Sequence, residues 1–416
     1  MNQPVPIPPP EPNRATQQRL IVPDLARGTA LWGIALANAS TAWIVNDWTE
    51  DHTRAGWSVG GVRPGNLLDE VCAVLAAMFV HVRGLPMFST LLGFGFGLVA
   101  ASLARKGYTS KEARRVLLRR YGALALFGLA HMLLLFYGDI MLTYGLIGVL
   151  LALMFTLSGK VLRIIAYTIL TCFTLLGTLG AAATYFFEDT AAGMDSPGDF
   201  ASLSAYFAAN FRGGLLMLVN QPFAVAQLGA LTIIGYLWAR ERVLIDVAEH
   251  RKTLITWTVI GAAVVLCIGL PWGLAAAGVL PPELEMPFYM LNQGFGMFTG
   301  PGILAALALA TDSLRNEVPT WARAFVALGK RSMSGYLAQS FLFVAIVMPF
   351  SLGLAHDAPV SGQLGAGTLV WLITLALAVL LDRAGKQGPF EWAHRHVSYG
   401  TTGRIEPKYD RVQIPA

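Results

Sequence analysis

Charge is what this chain lacks most. Only 13% of its 416 residues are Asp, Glu, Lys or Arg, about half the share of an ordinary soluble domain. The chain therefore has too few ionised groups to clothe a water-facing surface, which excludes a soluble globular protein. Cysteine is scarce as well: Cys72, Cys172 and Cys267 are odd in number, scattered and set in apolar runs. Neither a disulfide framework nor a zinc site fits that usage, and no metal is expected. The formal charge of +5 does not point to nucleic acid, because the Lys and Arg sit between apolar blocks rather than along one stripe. The glycine runs GFGFG (93–97) and GFGMFTGPG (294–302) lack a preceding strand and a following GKS or GKT, so they are not phosphate loops. A cleaved leader is not expected either, since the first 18 residues, MNQPVPIPPPEPNRATQQ, are polar and Pro-rich and read as a disordered tail.

What the chain has is apolar length: 55% of it is hydrophobic and its mean hydropathy is +0.56. A bilayer core about 30 Å thick needs about 20 apolar residues at 1.5 Å rise each. About ten stretches meet that need: 25–46, 84–104, 116–137, 140–158, 162–187, 222–240, 253–278, 288–310, 333–351 and 364–382. The stretch 66–82, NLLDEVCAVLAAMFVHV, carries two acids near its start and is expected to be an interfacial or re-entrant helix. The segment 188–221 is expected to be an outer loop with an amphipathic helix lying on the surface. The predicted fold is thus an all-α polytopic transmembrane bundle over 19–382, with a cytoplasmic tail at 383–416.

Charge placement orients it. With both termini inside, 26 of the 30 Lys and Arg fall on the cytoplasmic side, leaving only Arg54, Arg63, Arg83 and Arg212 elsewhere; cytoplasmic loops of membrane proteins carry that excess.

Several polar residues inside these apolar stretches are candidates for function. Arg27 and Asn38 are 11 residues apart, three helical turns plus about 20°, so they share one face of the first helix. Arg27 opens that helix beside Asp24, and Arg119 and Arg120 start another span; together these arginines form an inner basic vestibule able to hold phosphates. Snorkelling and membrane orientation alone also account for them. His131 and Asp139 flank a Tyr137-Gly138 turn, and an ionisable residue within a span points to function by default. Tyr144, five residues past Asp139, is not on its face. Tyr336, Gln339 and Ser340 form a polar face on the ninth span, suited to interhelical hydrogen bonds or to a substrate. Ser89, Gly93 and Gly97 form a small-residue packing stripe. Glu391 and Arg395 are expected to pair across one turn.

Five ordered blocks resemble the YeiB-like bacterial membrane family (domain of unknown function 418). They are VPDLARGTALWGIALAN (22–38), FSTLLGFGFGL (88–98), RRYGALALFGLAHMLLLFYGDIMLTYGLIG (119–148), GKRSMSGYLAQS (329–340) and GPFEWAHRHVSYG (388–400). The resemblance implies a multi-pass protein of the bacterial cytoplasmic (inner) membrane, of a family that has been labelled as transporters. More distantly, the first helix is similar to membrane acyltransferases, which pass acyl groups from cytoplasmic acyl-CoA to extracytoplasmic sugars or lipids. Many of those have a histidine where this chain has Asn38; others use a histidine in the first outer loop, a region that here holds His52.

Two functions follow as expectations. The first is acyl transfer, with acyl-CoA as donor at Arg27, Arg119 and Arg120, a base at His52 or at His131 steered by Asp139, and Asn38 or Tyr144 as oxyanion donor. The second is a transporter or flippase of a small anionic or lipid-like solute, in which the same residues, with Tyr336 and Gln339, line a path. Partners are the bilayer, acyl-CoA and a sugar or lipid acceptor.

Overall fold

The computed structural model describes residues 21–44, 46, 54–186, 200, 202–314 and 318–408, and the described residues hold helices and no strand. His52, the tail 1–18 and all of 188–199 lie outside them. The helices are α1 Ile21–Asn38, α2 Leu67–Phe79, α3 Gly84–Arg105, α4 Ser110–Leu134, α5 Met141–Met154, α6 Gly159–Phe186, α7 Leu203–Arg240, α8 Arg251–Val264, α9 Leu270–Ala276, α10 Glu285–Phe295, α11 Thr299–Thr311, α12 Thr320–Gly329, α13 Ser332–Ile346, α14 Val360–Arg383 and α15 Pro389–Tyr399. Seven helical stretches are long and apolar enough to cross a membrane, and Met141–Met154 and Ser332–Ile346 are shorter apolar helices.

Two expectations gain detail. The stretch 66–82, expected to be interfacial or re-entrant, forms the helix α2, which continues into α3 as one 39-residue apolar stretch long enough to cross a membrane, Leu67–Arg105, interrupted at Val80–Arg83. The interruption is local, since Val82 has φ +57°, a left-handed value that a β-branched residue adopts only under constraint. The second concerns 203–221, which is the first half of α7 rather than a surface helix in a loop. Pro222 is carried inside that 38-residue helix, whose length of about 57 Å far exceeds an apolar bilayer core. One side of its first half exposes Phe207, Phe211, Leu215 and Val219, while Tyr206, Asn210 and Gly214 are buried against the bundle. Asn210 Nδ2 donates to the Met132 and Leu133 carbonyls at 3.1 and 3.2 Å. Those are carbonyls at the C-terminal end of α4, which have no intrahelical partner and no water at that depth. The helix stays on the bundle because it caps another.

Two crossings besides α2–α3 are interrupted. A π-helical turn at Val265–Gly269 separates α8 from α9, and a 3-10 turn at Gly296–Phe298 separates α10 from α11. A third irregularity is the π turn Ala39–Trp43 that ends α1.

Helix α1 touches every part of the core. Val22, Ala26 and Ala30 join the largest apolar cluster, built mainly from α3 to α7. Leu31, Ile34, Ala35, Ala39 and Trp43 join a second cluster with α13 and α14. Small residues set the closest approaches. The predicted stripe packs on α7: a Cβ at Gly93 would fall 1.8 Å from the Thr232 carbonyl oxygen, and one at Gly97 2.4 Å from Ala239 Cβ. In the α4–α5 hairpin a Cβ at Gly128 would fall 2.0 Å from Leu142 N, and one at Gly145 2.3 Å from Ala125 N.

Gly93→Val is expected to cost about 3 kcal/mol or more by overpacking, seen as a lowered thermal midpoint and poor monodispersity in detergent; Ser89→Gly, which adds no atom at that interface, should keep monodispersity. Reporter fusions after Arg105, Arg242 and Arg383 are expected to give cytoplasmic signals, and an outer signal at Arg105 would reverse the orientation read from charge.

Candidate functional site

The α4–α5 hairpin builds the site. A capping box starts α4, with the Thr109 hydroxyl and the Glu112 carboxylate exchanging bonds with each other's backbone, and the helix runs to His131 in its last turn. The chain reverses through Leu135–Ile140, and Asp139 caps α5: its Oδ1 accepts the Leu142 N–H at 2.7 Å, the favoured place for a carboxylate at a helix start. The close glycine contacts between the two helices bring their ends together. Asp139 Oδ2 therefore meets His131 Nδ1 at 2.6 Å, and both side chains are almost wholly buried, at 2% and 0% exposure.

The other face of the imidazole is occupied. His131 Nε2 lies 3.0 Å from Ser340 Oγ on α13. With the carboxylate fixing the proton on Nδ1, Nε2 presents its lone pair and Ser340 O–H donates to it; this tautomer is assigned from the hydrogen-bond network. The result is a buried Asp139–His131–Ser340 relay whose order, carboxylate to imidazole to hydroxyl, is that of nucleophilic catalysis. Tyr336, one turn before Ser340, places its ring edge-on to His131 at 5.4 Å, and its hydroxyl accepts the Ile140 N–H at 3.4 Å. Trp43, Phe136 and Phe343 stack over the group, with ring centroids at 4.8 Å for Trp43–Phe136 and 5.2 Å for Trp43–Phe343. That aromatic layer excludes water and so strengthens the electrostatics beneath it.

The remaining predicted residues are placed elsewhere. Tyr144 donates to the Leu85 carbonyl at 3.2 Å and does not contact Asp139. Gln339 Nε2 donates to the Leu31 carbonyl at 3.1 Å, tying α13 to α1, and its Oε1 is buried with no partner. Asn38 is half-buried at the junction with the π turn and forms no part of the relay. Arg27 pairs with Asp24 at 3.3 Å, as its spacing predicts, and lies 3.2 Å from where a Cβ at Gly95 would stand. Arg119 and Arg120 each spend a donor on the C-terminal part of the chain. Arg119 Nε donates to the Val397 carbonyl at 3.1 Å, and Arg120 Nη1 to the Tyr399 hydroxyl at 2.6 Å. Both hold α15, the chain's own C-terminal helix. A shallow hollow of about 610 Å³ on the flank of α6 is lined by Lys160, Arg163, Ile164, Tyr167, Thr168, Thr171 and Cys172, none of them in the relay. Among the described residues no His, Cys, Asp and Glu cluster could hold a metal.

Helix α15 is fastened at its start as well. The Glu391 carboxylate does not pair with Arg395; it accepts the Met333 and Ser334 N–H groups at 2.7 and 3.1 Å and so caps α13, where free N–H groups attract it more than an exposed guanidinium does. His394 Nε2 bonds the Arg120 carbonyl at 2.9 Å.

Comparison with known proteins places this architecture. Residues 238–401 match the family described as "Protein of unknown function (DUF418)". Over 92% of its length the chain is 25% identical to "Uncharacterized protein YxaH" of Bacillus subtilis (strain 168), covering 95% of that protein. Over 95% of its length it is 23% identical to "Uncharacterized protein YeiB" of Escherichia coli (strain K12), covering all of it. Along almost its whole length the chain is similar to these two proteins, and its C-terminal part matches the DUF418 family. The matched region contains Ser340, Tyr336 and His394, whereas His131 and Asp139 precede it, so the relay joins two parts of the chain. Neither relative's name states an activity.

Sequence reading missed the partnership of Ser340 with His131, because 209 residues separate them and no local spacing reports it. It missed His394 too, although its apolar flank, Phe390 and Val397, marked a docked helix. Burial holds the His394 imidazole down, at about 4 against an ordinary 6.5, with the Arg120 charge helping. A histidine depressed in the folded state contributes stability above pH 6.5 that is lost as pH falls through 4. Docking of α15 is therefore expected to weaken by up to roughly 3 kcal/mol on acidification across that window, measured as increased hydrogen exchange at 389–399. His394→Gln should flatten the pH dependence.

Proposed function

We propose that this protein is a membrane acyltransferase, passing an acyl group from cytoplasmic acyl-CoA to a hydroxyl of an extracytoplasmic sugar or lipid, with Ser340, His131 and Asp139 as its reacting centre. The observation that carries the reading is the relay itself: a hydroxyl 3.0 Å from an imidazole nitrogen whose other nitrogen is 2.6 Å from a buried carboxylate. His131 Nε2 takes the Ser340 proton as Oγ attacks the thioester carbonyl. The C–S bond then breaks, the thiolate leaves with that proton, and Ser340 carries the acyl ester. In the second half the acceptor hydroxyl gives its proton to His131 and attacks; the new ester leaves and Oγ takes the proton back. Asp139 remains a carboxylate, orienting the ring and balancing the imidazolium. Tyr336 is the suited oxyanion donor, because its oxygen accepts Ile140 N–H while its own proton is committed to no described group. Tyr144, whose proton goes to Leu85, is not. Arg119 and Arg120 reach donor phosphates only when α15 lifts.

A second reading, a carrier of a small anionic or lipid-like solute, draws support from the three interrupted crossings, a device that transporters use around midplane sites. The two readings part on covalent chemistry. Purified full-length protein is to be incubated with radiolabelled acyl-CoA thioesters of short and long chain. The expected result is a hydroxylamine-labile label on Ser340, absent in Ser340→Ala and His131→Gln and formed at least about 100-fold more slowly in Asp139→Asn. No label and no CoA release with any chain length, together with solute uptake into proteoliposomes that Ser340→Ala leaves intact, would overturn the enzyme in favour of the carrier.

A further inference from the structure

Arg83 is a buried cation with no carboxylate against it among the described residues. It is 3% exposed at the interruption between α2 and α3. Three of its five N–H groups are used on carbonyls that the interruption leaves open: Met78 at 2.8 Å, Val82 at 3.1 Å and Ala77 at 3.2 Å. Those bonds finish α2, but they leave two donors and a full positive charge. Burying such a charge without a counter-charge costs several kcal/mol even after relaxation.

The neighbouring polar atoms are also unmet. His81, 6% exposed, has a buried Nε2 without a partner, and Asn292, wholly buried, has Oδ1 without one. Asn292 belongs to the same place, since its Nδ2 reaches toward the His81 carbonyl at 3.5 Å. The His81 ring leans on Trp272 at 5.5 Å, which holds the imidazole in the break. Two glycines keep room for the guanidinium: a Cβ at Gly296 would stand 3.2 Å from Arg83 Nη1, and one at Gly269 3.1 Å from Nη2. Gly269 closes the π turn after α8 and Gly296 opens the 3-10 turn after α10, so all three interrupted crossings meet at Arg83. Unpaired buried polar atoms are rare because each forfeits its hydration. Two of them beside an uncompensated arginine are groups that a small polar anion would satisfy.

We propose that the meeting point of the three interrupted helices binds a small oxyanion that carries a hydroxyl, of hydrogen-phosphate chemistry. The free Arg83 donors and the His81 ring N–H take the charged oxygens, and the ligand's hydroxyl donates to Asn292 Oδ1. The site is separate from the Ser340 relay and stands whether or not that relay transfers acyl groups.

The probe is inorganic phosphate, with sulfate, which has no proton to donate at neutral pH, as comparison and chloride as control at constant ionic strength. Binding to the purified full chain is to be read by thermal shift and by equilibrium dialysis of radiolabelled phosphate. The wild type is expected to bind phosphate saturably and at least tenfold more tightly than sulfate. Asn292→Leu should abolish that preference, and His81→Phe should weaken phosphate at least tenfold. Arg83→Lys should lose binding, and because that variant also loses carbonyl caps, the first two carry the decision. If the wild type responds to phosphate no more than to chloride, or if Asn292→Leu and His81→Phe bind as the wild type does, the proposal is overturned. A gain of stability in those two variants without any phosphate response would make the cluster a purely structural one.

Discussion

A helix that stops inside an apolar solvent leaves backbone groups with nothing to bond, and this constraint organises the molecule. Water is not at hand to satisfy them, so side chains do it, and they are the polar side chains that stand out in the sequence. Asp139 closes the start of α5, Asn210 the end of α4, Glu391 the start of α13 and Arg83 the end of α2. Each cap leaves something over. Asp139 has a second oxygen, which meets His131; Arg83 has a charge and two donors beyond those its carbonyl bonds use. Chemistry in this fold grows from the surplus of its caps.

The same economy explains the contrast between the two ends. At the hairpin end that holds His131 and Asp139 the caps are buried and aromatic rings cover them. At the end rich in Lys and Arg, α15 caps α13, and its fastenings include the His394 imidazole and the exposed Arg119. The buried end is suited to hold a reactive geometry constant. The basic end is suited to change.

How much of this could be read from the sequence depends on range. Apolar length and charge placement gave the helical bundle, and the close packing of Gly93 and Gly97 followed from their spacing. The Asp24–Arg27 pair and the meeting of His131 with Asp139 were legible because three and eight residues separate the partners. The break at Val80–Arg83 left no mark in the sequence, and neither did the burial of Asp69, which is wholly buried and paired with Arg63 at 2.7 Å. The bonds of Arg119 and Arg120 to a helix nearly 280 residues further on could not be read, because nothing in their neighbourhood announces it. Long-range pairing leaves no periodic trace, and Ser340 and Asn292 were legible only as polar residues on apolar helices.

The separation between the relay's members has a consequence for how the chain matures. His131 and Asp139 close their contact within one hairpin, a local event available early in synthesis. Ser340 arrives from α13, and α13 in turn is capped by α15, the last helix among the described residues. The hydroxyl therefore meets its imidazole only after the whole bundle has been threaded and its C-terminal helix has docked. A chain lacking α13 holds the carboxylate and the ring but not the hydroxyl, so the three groups come together only late in assembly.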